Sequence, residues 1–237
     1  MTDHIDQTSP LTYARIAGVL YLLMIPLGIF GILYIPTTLI VAGDAAATAA
    51  NIMASESLFR LSIVSALLVQ LDQIFLVLVL YKLLKYVNKI HAVLMVVFAL
   101  AAVPIAMFNE LNHFAVLLLL GGADYLTVFG ADQLQSQAML FLDFHEQGIL
   151  IAQVFWGLWL FPMGYLVYKS GFIPGIIGIL LMIGCFGYLF DSIAIMLFPD
   201  FSGIAGYTFI GELLLPLWLV IKGVNVEKWE KRALGSA

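Results

Sequence analysis

Six stretches of this chain are each long and apolar enough to cross a lipid bilayer, and they constrain its fold more than any other feature. They fall near residues 14–41, 60–84, 92–120, 147–168, 174–198 and 207–223. A helix needs roughly 20 apolar residues to pass the hydrocarbon core. The first and third windows exceed that length, so they tilt, kink at Pro26 or Pro104, or run past the core. Composition agrees with lipid as the solvent: 63% of residues are hydrophobic and 11% are charged. Soluble domains hold roughly 45–50% apolar and about 25% charged residues. The expected fold is therefore all-α: a polytopic membrane protein, one integral domain over residues 1–237, with six transmembrane helices.

Orientation follows from the basic residues. Arg15 precedes the first span, Lys82, Lys85 and Lys89 separate the second from the third, and Lys169 separates the fourth from the fifth. Lys222, Lys228, Lys231 and Arg232 follow the sixth, so nine of the ten Lys and Arg residues fall on one side. The opposite loops carry Asp44, Glu56, Asp124, Asp132, Asp143 and Asp200, with Arg60 as their one positive charge. Lys and Arg collect on the cytoplasmic side, which puts both termini inside. The N-terminal "MTDHIDQTSPLTYAR" has no basic n-region, so the first span reads as uncleaved. A single cysteine, Cys185, excludes an intramolecular disulfide.

Short interfacial helices are expected in the outer loops. In "GDAAATAANIMASESLFR", Asp44 reads as the N-cap of an Ala-rich helix and Ser57 as a second cap before span two. Arg60 stands four residues after Glu56, the spacing of a helical ion pair. "ADQLQSQAMLFLDFHEQG" reads as an amphipathic helix from near Asp132, turning Leu134, Ala138, Met139 and Leu142 to the membrane interface. A break near Gly148 would separate it from span four. The outgoing spans end alike, in "LVLYKLL", "YLVYKSG" and "WLVIKGV". Repeated hairpins and plain interfacial anchoring by aromatic residues and Lys both account for that likeness.

The polar residues inside the spans are the candidates for function. Asp72 lies about 18 Å in from Arg60 at 1.5 Å per residue, near the midplane. "PIAMFNELNHFAVLLLL" puts Glu110 and His113 in the outer half of span three, and His145 and Glu146 open span four. Asp191 lies near the outer end of span five, and Glu212 about one and a half turns into span six. Most of this set is level in depth on different helices. Asp72, Glu110, His113, His145, Glu146, Asp191 and Glu212 thus form a candidate ligand- or cation-binding set facing outward. A carboxylate at span centre costs roughly 2.5–3.5 kcal/mol, and no Lys or Arg is embedded beside these acids. Protonation, hydrogen bonds to Gln70, Gln73, Asn109, Asn112 or Gln153, or a bound cation would each relieve that cost.

Two details bear on the cation option. Pro216 has no N–H, so the carbonyl of Glu212 loses its helical partner; Pro104 and Pro162 free Leu100 and Leu158 in the same way. Transporters build cation sites from such carbonyls, and membrane helices also tolerate proline kinks without any such role. Glu110 and His113 form an E-x-x-H pair, of which di-iron bundles need two. "HEQGI" at His145 is no zinc motif, because Ile149 stands where a second His would be. A zinc or iron site from His113, His145, Glu110 and Glu212 and simple interhelical hydrogen bonding both stay open. No P-loop, G-x-G-x-x-G, G-x-S-x-G or C-x-x-C occurs, so no organic cofactor and no nucleic-acid partner is implied.

The segments "ARIAGVLYLL", "GDAAATAANIMASESLFR", "FWGLWLFPMGYLVYKSGFIPGIIGILL", "GYLFDSIAIMLFP" and "GELLLPLWLVIKGV" resemble a bacterial multi-pass family catalogued as domain of unknown function 4386. The likeness spans nearly the whole chain. It implies a bacterial cytoplasmic membrane protein with no known activity, and it would single out Asp44, Glu56, Arg60, Asp72, Asp143, His145, Asp191 and Glu212. The family pattern does not extend to Glu110 and His113, where it carries more apolar or amide residues. Three functions stand, in this order. The first is a binding or transport protein for a proton, cation or small polar solute. The second is a structural or sensory protein whose polar residues only specify packing. The third is a membrane-embedded enzyme using His145 with Asp143 or Glu212 on an apolar substrate.

Overall fold

The structure is a computed structural model that describes residues 9–198 and 200–235. The N-terminal reading given above lies mostly outside the described residues. All regular elements among the described residues are helices. Five of them are long and apolar enough to cross a membrane: Pro10–Leu39, Glu56–Leu84, Lys89–Leu120, Ala131–Ser170 and Gly175–Leu197. The sixth predicted span is realised as Ala205–Ile221, which meets the same test only together with Val226–Gly235, bent from it by 102°. The protein is an all-α polytopic membrane protein with five to six such spans.

Helix α1 (Pro10–Gly28) passes through a π-helical turn, Ile29–Tyr34, into α2 (Ile35–Leu39). Pro36 has no N–H to give the carbonyl four residues back, and widening to the π register lets the next N–H take it. Asp44 caps α3 (Ala45–Ala54), its Oδ1 accepting the Ala47 N–H at 2.8 Å, as the sequence predicts. Helix α4 (Glu56–Leu84) starts earlier than expected, because the Ser55 carbonyl already accepts the Leu58 and Phe59 N–H groups. Ser57 is therefore inside the helix and caps nothing. The predicted pair forms, with Arg60 Nε 2.7 Å from Glu56 Oε1.

Helix α5 (Lys89–Leu120) runs on through Pro104. Helix α6 (Ala131–Leu158) runs on through Gly148, where a break was expected. The interruption comes instead at Trp159, before α7 (Leu160–Ser170). Pro162 explains it, since it leaves the Leu158 carbonyl without its helical N–H. Gly171, in the left-handed region at φ 74°, ends α7. Then come α8 (Gly175–Leu197), the short α9 (Ala205–Thr208), α10 (Ile210–Ile221) and α11 (Val226–Gly235).

The chain divides into two compact units. One comprises Met24–Leu71 and Val103–Ala152. Its core joins Ile35, Leu39, Ile52, Phe59, Ile63, Val116, Leu117, Ala138 and Leu142. Ala138 and Leu142 of α6 are thus buried against protein, with Met139 packed on the same cluster, and do not face the membrane interface as expected. The Ser65 hydroxyl donates to the Leu27 carbonyl at 2.9 Å, tying α4 to the end of α1.

The other unit comprises the chain up to Leu23, Asp72–Ala102 and the chain from Gln153 on. Its tightest contact is between α7 and α8, where a Cβ on Gly164 or on Gly178 would overlap the other residue's carbonyl. Backbones meet this closely only where both side chains are absent. Helix α11 lies across the same unit: Trp229 Nε1 donates to the Leu83 carbonyl at 2.8 Å, and Arg232 donates to the Lys169 carbonyl at 2.7 Å.

Candidate metal centre

Glu110 and His113 stand three residues apart on α5, so one face of the helix carries both. His113 Nδ1 lies 2.9 Å from Glu110 Oε2. His145 arrives from α6 and sets its Nε2 3.0 Å from the other oxygen, Oε1. All three side chains belong to residues that are almost wholly buried, at 4%, 3% and 7% exposure in chain order. The imidazoles stack on each other, ring centroids 3.6 Å apart and planes at 24°. Phe59 meets His113 edge-on at 5.0 Å, closing that side with hydrocarbon.

A second layer fixes His145. The Asn109 amide donates to the His145 carbonyl at 2.8 Å, and Asn112 donates to Asn109 Oδ1 at 3.0 Å, which sets which way the Asn109 amide points. Gly148, one turn beyond His145, makes this possible. A Cβ there would occupy the space of the Asn109 carboxamide. The glycine serves close approach, which is why the helix does not break at it.

An ionised Glu110 only accepts hydrogen bonds, so both nitrogens facing it carry their hydrogens toward it. Neutral imidazole is the form that binds metals. One carboxylate and two imidazoles then converge within a sphere of small size: one ligand atom from each of Glu110, His113 and His145 lies within 4.8 Å of the others. With each ring's hydrogen carried on its other nitrogen, all three atoms could serve a divalent cation as ligands. Imidazole nitrogen with carboxylate oxygen suits zinc and its first-row neighbours. Magnesium and calcium prefer oxygen throughout.

The other predicted residues lie elsewhere. Glu146 and Asp143 are on α6 but exposed, turned away from the cluster. Asp191 is buried in the other unit, and both its oxygens are engaged: Oδ1 accepts from the Ile204 N–H at 2.7 Å and Oδ2 from the Ala205 N–H at 2.6 Å. It caps the start of the last span. Glu212 Oε2 accepts the Tyr21 hydroxyl at 3.1 Å. Asp72 is half-buried, with Oδ2 shielded and without a hydrogen-bond partner. Gln153 donates to the Tyr188 carbonyl at 3.3 Å rather than to an acid. Sequence reasoning missed Tyr21, Tyr188, Phe59 and the role of Gly148. Tyr21 did leave a signal, because it sits in mid-span, away from the interfaces where membrane tyrosines usually anchor.

The family described as "Domain of unknown function (DUF4386)" matches residues 16–223. An uncharacterised protein of Archaeoglobus fulgidus is 44% identical over 77 residues, which is 31% of this chain and 44% of that protein. The match thus spans less than half of the relative's length. No solved structure matches.

Proposed function

The chain belongs to the DUF4386 family, whose description assigns no activity, and we propose that it is a cation-binding membrane protein whose ion is a divalent first-row transition metal. Glu110, His113 and His145 hold the ion. The observation that carries this reading is the convergence of two imidazoles and one carboxylate, all buried, from two helices. Three protein ligands leave a coordination position for water or a small polar solute, unlike the closed set of a structural zinc site. That openness fits a protein that takes up and releases its ion, or a solute bound to it. The one-sided Lys and Arg residues support an orientation with both termini inside, in what this reading takes to be the cytoplasmic membrane.

One observation favours a rival reading in which the cluster only specifies packing. Each oxygen of Glu110 already meets a ring nitrogen, so the three groups are satisfied without an ion. Elemental analysis separates the two. Protein purified without chelator and loaded with zinc should hold about one equivalent per chain after desalting, and Glu110→Gln, His113→Gln and His145→Gln should each lose it. A parent that stays metal-free, with variants that match it, would leave the packing reading in place.

A further inference from the structure

Glu212 is a half-buried acid with one oxygen shielded from solvent, and its neighbours offer oxygen rather than nitrogen. Its Oε2 accepts the Tyr21 hydroxyl from α1 at 3.1 Å, and the Tyr188 side chain of α8 faces the same carboxyl group. All three residues belong to one compact unit. The remaining oxygen, Oε1, is buried and has no hydrogen-bond partner. Four residues on, Pro216 carries no N–H, so the Glu212 carbonyl also lacks its helical partner. Helix α1 comes close here: a Cβ on Gly18 would press on the Pro216 carbonyl, one turn from the Tyr21–Glu212 contact. Helices α8 and α10 contain no Lys or Arg, and α1 has only Arg15 near its start. A shielded carboxylate oxygen without a hydrogen bond of ordinary geometry, among phenols and with no Lys or Arg on α8 or α10, points to a ligand that supplies the positive charge.

We propose that Glu212, Tyr21 and Tyr188 form a second cation site, separate from the metal centre, that takes a monovalent alkali cation, with sodium as its first candidate. The donors are all oxygen, which selects hard cations over the softer ions suited to imidazole. Charge count selects among hard cations. One carboxylate neutralises a monovalent ion fully, and the site lacks the imidazoles whose strong bonds to a divalent transition metal would offset the charge left over. Each phenol can turn an oxygen lone pair toward a cation while keeping its place beside the carboxyl group.

The test is a set of melting curves in detergent, with sodium exchanged for N-methylglucamine at constant ionic strength. A ligand that binds only the folded state stabilises in proportion to ln(1 + [L]/Kd). Sodium at tenfold excess over its dissociation constant should raise the parent's melting temperature by roughly 3–6 °C. Tyr21→Phe should weaken the response and Glu212→Gln should abolish it. His113→Gln should leave it intact, so failure at one site is distinguishable from failure at the other. The readout is the sodium-dependent difference within each variant, which holds even where a variant is less stable, and Tyr21→Phe removes only one hydroxyl if Glu212→Gln folds poorly. A parent curve flat in sodium, an equal shift in Glu212→Gln, or a larger shift with calcium than with sodium would overturn the proposal.

Discussion

Asp191 and Glu110 are both acids in apolar helices, and their surroundings give them different uses. Asp191 spends both oxygens on the backbone N–H groups of Ile204 and Ala205, so it holds the start of the last span and has nothing left for a ligand. Glu110 meets only ring nitrogens, which could bind a metal together with it. Asp191→Ala should therefore cost roughly 0.5–2 kcal/mol of stability, as cap removal does, and leave metal content unchanged. Melting curves and elemental analysis of the same preparation check both halves, and a fall in bound metal would place Asp191 in the centre after all. Which residue contacts were legible depended on distance along the chain. The Glu110–His113 pair, the Arg60–Glu56 pair and the Asp44 cap all lie within one helical turn, where spacing determines contact. The Asp191 cap reaches thirteen residues downstream and the His145–Glu110 contact thirty-five. Periodicity says nothing about which helices meet, so residue spacing allowed those contacts without requiring them.

At the scale of elements, glycine and proline decided where helices continue, and the sequence reading had their roles partly reversed. A continuous helix through Gly148 looked too long for one span, so a break was expected there; the chain stays helical and puts the Asn109 carboxamide against the bare Cα. Pro162, whose freed carbonyl was legible from the sequence, marks the interruption at Trp159. Gly148→Ala should overpack this contact at a cost of roughly 1–3 kcal/mol. Asn109 also holds the His145 carbonyl, so the same substitution should weaken metal binding. In an Asn109→Ala background the clash has nothing to strike, and the added cost of Gly148→Ala should fall to near zero. Equal costs in both backgrounds, measured by thermal melts, would show that Asn109 is not what the glycine accommodates. The face of α6 was misread for a related reason: an amphipathic stripe looks the same whether it meets lipid headgroups or the cluster around Phe59 and Val116.

For the whole molecule, class was the most legible property, because membrane solvation acts on every residue and composition sums it. The division into two compact units was not legible, since single helices such as α1 contribute residues to both. Orientation rests on the one-sided placement of Lys and Arg and is open to a labelling test after Cys185 is replaced. Cysteines at Lys89 should be protected from an impermeant reagent in intact cells, and those at Ala131 and Ser202 should react. Labelling at Lys89 from outside would invert the topology. The proposed metal centre is a property of tertiary structure, because its ligands come from α5 and α6 and converge only when both are in place. X-ray absorption at the zinc edge of the zinc-loaded protein tests it most directly. The expected spectrum shows two imidazole nitrogens at roughly 2.0–2.1 Å with oxygen completing the shell, and His145→Gln, which loses the ion on desalting, gives no such spectrum. A spectrum without imidazole scattering, or one unchanged by His145→Gln, would contradict a metal centre at Glu110, His113 and His145.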